Sequence, residues 1–455
     1  MPTRIKIPLL CLIVALLTYA SRHFMIDDAL IMARYVQNAV NGNGLVFNRS
    51  EYVNALTSPL FSYVLVGVSW LLQGNVLLAE YVLCGICLLG AVLLAERMVS
   101  YSGFLIASTA YFYYHVGMET SLFMFMLMLT ITLYFESRLD WLPLALLLLG
   151  LTRFEGAAMI PVIAWNLYRT RSFPRLPSFI APIGIGLAYL LFNHHVYGLY
   201  LPSSGLAKLG QGMSGYWGPW PFSFLLRSTI ILRVFPWAFY KAPIIAILFV
   251  IGVFASKKLG LNRVILPFLA ILLSFYMLFN LPNYTWYYAP FIFFGMFYAV
   301  LAVKLTRFRY PILVAAMVLQ ISTNTLWLSL QNTNQYYNYC DVGRWLDANT
   351  PKKATVAVCE SGIIGWYSHR YIIDILGLTT PKNAGYIAHR DATSWLAEDH
   401  PDYIVMHHPT WWWEEVADAS PDYQDLPVHF GPDSSTIIRI LQRKTVDATF
   451  PGQSR

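Results

Sequence analysis

The sequence has few charged residues, and its first three quarters have very few acidic ones. Only 12% of its 455 residues are Asp, Glu, Lys or Arg, against roughly 25% in globular proteins. Of the 24 acidic residues, 15 follow Leu330. The nine before it are Asp27, Asp28, Glu51, Glu80, Glu96, Glu119, Glu136, Asp140 and Glu155. Carboxylates are costly in a membrane and usually serve a function there, so these nine are the first candidates for a site.

Internal repeats and low-complexity segments are also absent, and cysteine is scarce. Without a visible repeat, the chain lacks the inverted halves that are common in secondary transporters. Among the five cysteines, Cys84 and Cys87 fall in a leucine-rich segment and are predicted to pack there. Cys340 and Cys359 could form a disulfide if the C-terminal tail lies outside the cytoplasm. The cysteines therefore say little about function.

Long hydrophobic runs take the place of charge. Hydrophobic residues make up 57% of the chain, and the mean hydropathy is +0.51. Runs long enough to cross about 30 Å of hydrocarbon recur through the first 330 residues. These features predict a polytopic α-helical membrane protein, because a helix satisfies its own backbone hydrogen bonds in lipid.

Clusters of Lys and Arg predict the orientation of the helices. Arg4, Lys6 and the segments 168–175, 257–263 and 304–309 should lie in the cytoplasm. The expected spans lie near 5–21, 103–116, 119–135, 141–151, 154–168, 176–193, 240–256, 264–281, 286–303 and 311–330, with residues 56–95 crossing once. This gives about eleven crossings in a transmembrane domain of residues 1–330. The net charge of +7 fits positive inner loops and excludes a nucleic-acid partner. The first run could also be a cleaved signal peptide, but the polar loop directly after it favours an uncleaved span.

Residues 331–455 have a different pattern. The segment "VGRWLDANT" predicts a helix and "ATVAVCE" a strand, and "HRYIIDILGL", "DATSWLAED" and "PDYIVMHH" repeat strand and helix signals. We predict a small C-terminal α/β domain with a short open sheet, on the outer side of the membrane.

The pair Asp27–Asp28 in "MIDDALIMARY" is the leading candidate for chemistry. A carboxylate at the membrane surface can take a proton from an acceptor hydroxyl, and a neighbouring acid can orient it, bind a metal or raise its pKa. The alternative is a solvated pair that caps a helix. Arg34 lies two helical turns from Asp27, and the segment 41–60 after it, with Asn54 and Thr57, is rich in polar residues suited to a hydroxyl-rich ligand.

Further candidates lie in three short motifs and among the basic residues of the predicted outer side. Glu119 in "VGMETSLF" and Glu155 in "LTRFEGAAMI" have apolar neighbours, although Glu155 could simply pair with Arg153. Cations on the predicted outer side, which suit a departing phosphate, are Arg34, Arg153, Lys208 and the pair His194–His195. The two histidines are weak candidates for a metal site, since adjacent histidines on a helix point apart. Aromatic residues in "NYTWYYAP", including Tyr287, suit a sugar face or an interfacial belt.

The order of these motifs resembles that of bacterial GT-C-type membrane glycosyltransferases. The segments "DDALIMARYVQN", "GNGLVFN", "ALTSPL", "GMETSLF", "LTRFEG", "YGLYLPSSGLAK" and "IIDILGLT" match in sequence over about residues 20–380. The resemblance is to membrane arabinofuranosyltransferases of envelope assembly and to related Gram-negative enzymes. The chain departs from the family pattern at Phe154, Ser203 and Thr380.

The resemblance implies an inverting transfer of a sugar from a polyprenyl phosphate to an acceptor hydroxyl outside the cytoplasm, by a multi-pass protein of the bacterial inner membrane. The sugar would be one such as D-arabinofuranose, and the acceptor an envelope glycan, a lipopolysaccharide or a pilin-like protein. Asp27 or Asp28 would be the base, and Arg34, Arg153 and Lys208 would balance the leaving phosphate. The residues that would bind the sugar or the acceptor are Glu119, Glu155, Asn54, Thr57, Tyr287 and Asp374. Glu119 could instead share a divalent cation, and Asp374 could be a simple turn residue.

Two other functions compete with transfer. A flippase or transporter of lipid-linked sugars would more often carry charged residues within several spans, whereas these acids lie near predicted span ends. A non-catalytic envelope scaffold gives no reason for the paired aspartates.

Overall fold

The computed structural model describes residues 3–220, 224, 238–330, 334–431 and 437–444. Its first part is helical. The described helices there are α1 (Thr3–Ala20), α2 (Asp27–Val40), α3 (Pro59–Leu71), α4 (Val76–Met98), α5 (Ser102–Ala107), α6 (Tyr111–Tyr114), α7 (Thr120–Phe135), α8 (Leu142–Thr152), α9 (Met159–Thr170), α10 (Ile180–Tyr197), α11 (Ser204–Ser214), α12 (Ala238–Ala255), α13 (Asn262–Leu278), α14 (Ala289–Val303) and α15 (Arg309–Leu330).

Several of these helices are suited to lipid. Three segments of the described residues are long and apolar enough to cross a membrane: Val76–Met98, Leu176–Tyr197 and Thr285–Val303. Five shorter apolar helices accompany them. On α10, Ile183, Leu187 and Leu191 are exposed at four-residue intervals, which presents one apolar face to the bilayer. A polytopic helical fold is therefore present, while the number of eleven crossings stays a prediction.

Two stretches differ from the expected spans. Residues 56–95, expected to cross only once net although long enough for two passes, include α3 and most of α4, joined by a short turn. The expected span 103–116 is broken into α5 and α6. At the break, the Ser108 hydroxyl contacts Gln320 Oε1 at 2.8 Å, and Asn324 donates to the Ser108 carbonyl. A side chain of α15 thus satisfies one backbone carbonyl at the break, which a non-helical backbone within a membrane would need.

The tail folds around a five-stranded mixed sheet. Its order is β2-β1-β3-β5-β4, with β1 parallel to β2 and β3, and β5 antiparallel to β3 and β4. The strands are β1 (Thr355–Val358), β2 (Tyr371–Asp374), β3 (Tyr403–His408), β4 (Tyr423–Phe430) and β5 (Ile437–Arg443). The helices are α16 (Asn334–Asn349), α17 (Ser361–Ser368), α18 (Pro381–Ala388), α19 (Ser394–Asp399) and α20 (Glu415–Asp418). The predicted sheet is present, and Cys340 and Cys359 are free thiols. The boundary between 330 and 331 stays a prediction.

Helix α2 connects the two parts of the molecule. Two aspartates in its first turn favour its start, because they face the positive end of the helix dipole. It ends at Asn41, where Gly42 follows with a φ of +79°. One hydrophobic core runs from α2 into the sheet and includes Val36 and Ile372. The C-terminal sheet is therefore packed on α2 and not tethered loosely to the membrane part.

Helix α17 lies against α2 with backbone contact. A Cβ atom on Gly362 would lie 1.9 Å from the carbonyl oxygen of Asp27, far inside van der Waals contact. Only glycine lets the two helices approach this closely.

We expect Gly362→Ala to lower the free energy of unfolding by on the order of 1–3 kcal/mol, because α17 must move away from α2. The measurement is the apparent Tm of the detergent-solubilised protein, which should fall. Gly385→Ala is the matched control, since a Cβ there meets no atom within 4 Å and alanine favours a helix. Equal Tm values for the two variants would show that the close contact is not needed.

Candidate active site

A narrow cavity collects three of the predicted residues. Asp28, Thr57 and Glu119 line a space of about 20 Å³, here called the Asp28 cavity. Its other walls are Ile31, Met32, Ala55, Leu56, Gly117, Met118 and Leu378. Gly117 has a φ of +89°, and a Cβ there would lie 2.6 Å from Ala29 Cβ. This glycine therefore lets the "GMET" turn come against the first turn of α2.

The two aspartates have different surroundings. Asp27 accepts hydrogen bonds from the N–H groups of Gly362, at 3.1 Å, and Ile363, at 2.7 Å, so it caps the N-terminus of α17. Burial raises the pKa of Asp27 well above its usual value, the two backbone bonds lower it in part, and the charges of Asp28 and Glu360 raise it. Asp28 accepts no hydrogen bond from any residue in the described ranges and faces the cavity.

A buried ion-pair network stands beside the cavity. Arg153 Nη2 lies 2.6 Å from Glu155 Oε1, and Arg153 Nη1 lies 3.2 Å from Glu119 Oε1. Tyr276 donates to Glu155 at 3.2 Å, and the Arg153 guanidinium lies 5.1 Å from the centre of the Tyr287 ring. Two carboxylates thus share one guanidinium. Within the described chain, Arg153 Nη1 has no acceptor in hydrogen-bonding geometry.

Lys208 supplies a second buried cation close to this network. Its Nζ lies 4.1 Å from the centre of the Tyr284 ring, and it forms no ion pair with a described residue. Burial raises the pKa of Tyr284 above its usual range, and the charges of Asp28 and then Asp374 add to the rise. Tyr284 therefore contacts the unpaired cation of Lys208 and is also within reach of the charge of the unpaired carboxylate of Asp28.

Asp374 closes the site from the sheet side. It is the last residue of β2, and its carboxylate accepts from the N–H groups of Leu376, at 2.9 Å, and Thr379, at 2.8 Å. Burial raises the pKa of Asp374, while these backbone bonds and the charge of Lys208 lower it in part. The turn that it organises brings Leu378 to the Asp28 cavity. Asp374 is thus a turn residue at the edge of the site.

Other predicted residues lie outside the Asp28 cavity or stabilise the backbone beside it. Asn54 is buried, and its side chain donates to Asn193 at 3.2 Å and accepts from Leu56 N–H at 3.1 Å. This arrangement fixes the loop that carries Thr57. His194 and His195 are exposed at the end of α10. No group of three metal-binding side chains occurs among the described residues, so the divalent cation stays a prediction.

Arg34 lies on another side of α2, where it joins the two parts of the protein. Its guanidinium donates to the carbonyls of Phe47 at 2.8 Å, Gly365 at 2.6 Å and Arg370 at 2.6 Å, and to Asn48 Oδ1 at 3.0 Å. Four protein acceptors leave this guanidinium little capacity for a phosphate. We therefore leave Arg34 out of the site proposed below.

A polar cluster near Asp27 was not predicted from the sequence. His407 Nδ1 lies 2.7 Å from Glu414 Oε1, and Nε2 lies 2.7 Å from the Tyr339 hydroxyl and 3.5 Å from Glu360 Oε2. Burial raises the pKa of Glu360 from its usual 4.5 to about 7. Burial alone would lower the pKa of His407, but its bond to Glu414 and the nearby carboxylates raise it overall. The acids in "VCES" and "WWWEE" gave no signal of proximity, because they meet only in the folded sheet.

Comparisons with known proteins bear on the fold of the chain. A family model described as a domain of unknown function (DUF8728) matches residues 325–447. The chain is 28% identical to a terminal β-(1→2)-arabinofuranosyltransferase of Mycobacterium tuberculosis, over 42% of this chain and 36% of that relative. The match thus spans little more than a third of the relative's length.

Solved structures match over nearly the whole chain. ArnT from Cupriavidus metallidurans bound to undecaprenyl phosphate superimposes with a TM-score of 0.64 at 10% identity, covering 97% of this chain and 98% of ArnT. The chain therefore shares the fold of ArnT. ArnT in the apo state gives a TM-score of 0.57 at 10% identity, with 96% and 97% coverage. The predicted resemblance to GT-C enzymes and arabinofuranosyltransferases is confirmed.

We expect the stability of the sheet region to fall as the pH rises from about 4.5 to about 7. Because the pKa of Glu360 is raised by folding, its stabilising effect is complete below the unfolded pKa and is lost as the pH passes the folded pKa. The raised pKa of His407 acts in the same direction. Glu360→Gln should reduce the fall of Tm with pH, and the exposed Glu415→Gln should leave it unchanged. If the Tm of Glu360→Gln fell with pH as steeply as that of the wild type, Glu360 would not be the source of the pH dependence.

Proposed function

We propose that the protein transfers a sugar from a polyprenyl-phosphate donor to a hydroxyl group of an acceptor outside the cytoplasm. The observation that carries the proposal is that unpaired Asp28 lines its cavity while unpaired Lys208 lies against Tyr284, whose pKa the charge of Asp28 also raises. Two relatives support it: one structure of ArnT holds undecaprenyl phosphate, and the curated relative is an arabinofuranosyltransferase. The proposed sugar is a pentofuranose such as D-arabinofuranose.

Asp28 is the proposed general base. Its carboxylate takes the proton of the acceptor hydroxyl while that oxygen forms a bond to the anomeric carbon. The bond from this carbon to the phosphate oxygen breaks on the opposite face, so the configuration inverts and the polyprenyl phosphate leaves with its electron pair. Asp27 is unsuited to this step, because both of its oxygens accept backbone N–H groups of α17.

Lys208 is the proposed partner of the leaving phosphate. The phosphate gains negative charge as the glycosidic bond breaks, and a buried cation that is already in place stabilises that charge. The rings of Tyr284, at 4.1 Å, and Trp286, at 5.8 Å, hold its ammonium group. Arg153 is less free to do this, because Glu119 and Glu155 already balance its charge.

Glu119 and Arg153 are proposed to bind sugar hydroxyls. Glu119 lines the Asp28 cavity, and Arg153 Nη1 keeps a donor that no described residue uses. Buried hydroxyls without a partner in the described ranges also directly follow the lining residues Thr57 and Glu119 in the chain, at Ser58, Thr120 and Ser121. A hydroxyl-rich ligand suits such a lining, because buried polar groups are otherwise costly.

The placement of the protein follows from the same chemistry. We propose that it spans the bacterial inner membrane and that the site and the C-terminal domain face the periplasm. The lipid-linked donor then reaches the site from the bilayer, and the acceptor is an envelope glycan, a lipopolysaccharide or a pilin-like protein. A flippase would move the donor without consuming it, so release of free polyprenyl phosphate separates the two functions.

Asp28→Asn should lower transfer by on the order of 10²–10⁴-fold, since it removes the base and keeps the shape. The measurement is the incorporation of label from a synthetic polyprenyl-phosphate radiolabelled arabinofuranose into membranes of a deletion strain, which hold the unmodified acceptor. Asp140→Asn, on the exposed Asp140, is the matched control. Wild-type incorporation by Asp28→Asn would show that Asp28 is not the base.

Asp27→Asn should lower the Tm as well as transfer, because an amide replaces a capping oxygen.

Lys208→Met should lower kcat by on the order of 10²–10³-fold, because the leaving phosphate loses its buried cation. The substitution keeps the length of the side chain, so the Tm should change little. Lys258→Met, at an exposed lysine, is the control. A normal rate of polyprenyl phosphate release from Lys208→Met would exclude this role.

A further inference from the structure

A second cavity, of about 770 Å³, lies between the C-terminal half of α2 and the N-terminal part of the tail domain. Its volume is within the range of small-molecule sites, roughly 300–1,000 Å³. The cavity is here called the cationic cleft. Its basic lining residues are Arg34, Arg49, Lys352, Lys353, His369 and Arg370, and none of the described lining residues is Asp or Glu.

Two of these cations are already used by the protein, and three are not. Arg34 bonds four protein oxygens, and Arg370 bonds Asp347 and nearby carbonyls. Arg49, Lys352 and Lys353 form no ion pair with a residue in the described ranges. Three uncompensated positive charges around one concave space raise the local concentration of anions.

Arg34 and Arg49 also repel each other. Burial lowers the pKa of Arg34 from its ordinary value to about 9, with a further contribution from the nearby charge of Arg49. An anion between the two side chains would relieve this repulsion. None of the described lining residues is an acid, and two acids that contact the lining, Asp347 and Glu51, bond Arg370 and Tyr371.

The uncharged lining suits a sugar. Gln37 and Asn41 bond each other at 3.2 Å at the rim, and their remaining amide groups have no partner among the described residues. The half-buried Trp366 offers a ring face and an indole N–H without an acceptor in the described chain. Amide groups and an aromatic face are the usual means by which proteins bind a polar ring.

The cleft is distinct from the Asp28 cavity. Asp28, Ile31 and Met32 line that cavity on one side of α2. Arg34, Gln37, Asn38 and Asn41 repeat at three- and four-residue intervals and line the cleft on another side. A ligand of the cleft therefore does not occupy the proposed transfer site.

We propose that the cationic cleft binds an anionic saccharide, a sugar that carries a phosphate or carboxylate group. The cations hold the anionic group, and the amides and Trp366 hold the ring. This function goes beyond the transfer reaction and uses none of its residues.

Equilibrium binding to the full-length protein in detergent tests this proposal, with Trp366 fluorescence or calorimetry as readout. Glucose 6-phosphate and glucuronate should bind, glucose should not, and binding should weaken with salt as the charges are screened. Lys352→Ala with Lys353→Ala, and Arg49→Ala separately, should weaken binding by on the order of tenfold, since each removes charge-assisted contacts. The adjacent pair Lys257→Ala with Lys258→Ala, both exposed, is the matched control.

The outcomes are distinct. Equal affinity for inorganic phosphate and glucose 6-phosphate would overturn the saccharide site. Displacement of the sugar phosphate by vesicles of phosphatidylglycerol would also overturn it, and would assign the cleft to a lipid headgroup. Unchanged binding in the cleft variants would also overturn it. Because the measurement involves no turnover, failure of the transferase proposal would leave this result unaffected.

Discussion

The contact between the first turn of α2 and the N-terminus of α17 determines the rest of the site. Asp27 accepts two backbone N–H groups there, and the absence of a Cβ on Gly362 lets the helices touch. This contact packs the sheet domain on the membrane part and fixes the direction of α2. Because Asp27 is used in this way, its neighbour Asp28 is left facing the cavity. One dipeptide thus provides both a structural cap and a free carboxylate.

Charge balance explains why Lys208 and Arg153 have different proposed roles. A guanidinium held between two carboxylates is nearly neutralised, and an added phosphate would compete with groups that are already in place. An ammonium group over an aromatic ring keeps its full charge, because the ring's negative face stabilises it without a counter-ion. A phosphate that gains charge during the reaction is therefore better matched to Lys208.

Much of the fold could be predicted from the sequence, because hydrophobic runs and strand patterns are local signals. The helical membrane part and the C-terminal sheet were expected from these signals, whereas Asp28, Thr57 and Glu119 were assigned to one site through the family resemblance. The broken helix near Ser108 was not, since it depends on α15, more than 200 residues later. Arg34 was expected at the site from its spacing along α2, yet spacing cannot say which acceptors meet its guanidinium. Glu360 and His407 gave no sequence signal, because only sheet pairing brings them together.

The two faces of α2 suggest why the tail domain is packed on this helix. If the sheet served only as a cover, its contact with α2 would need apolar residues alone. Instead the interface buries Arg34 with four protein acceptors and leaves Arg49 beside it without a counter-charge. Arg49 is exposed, so its charge stays hydrated and is available to an anion that enters the cationic cleft. This free charge at the domain interface supports the proposed second binding surface.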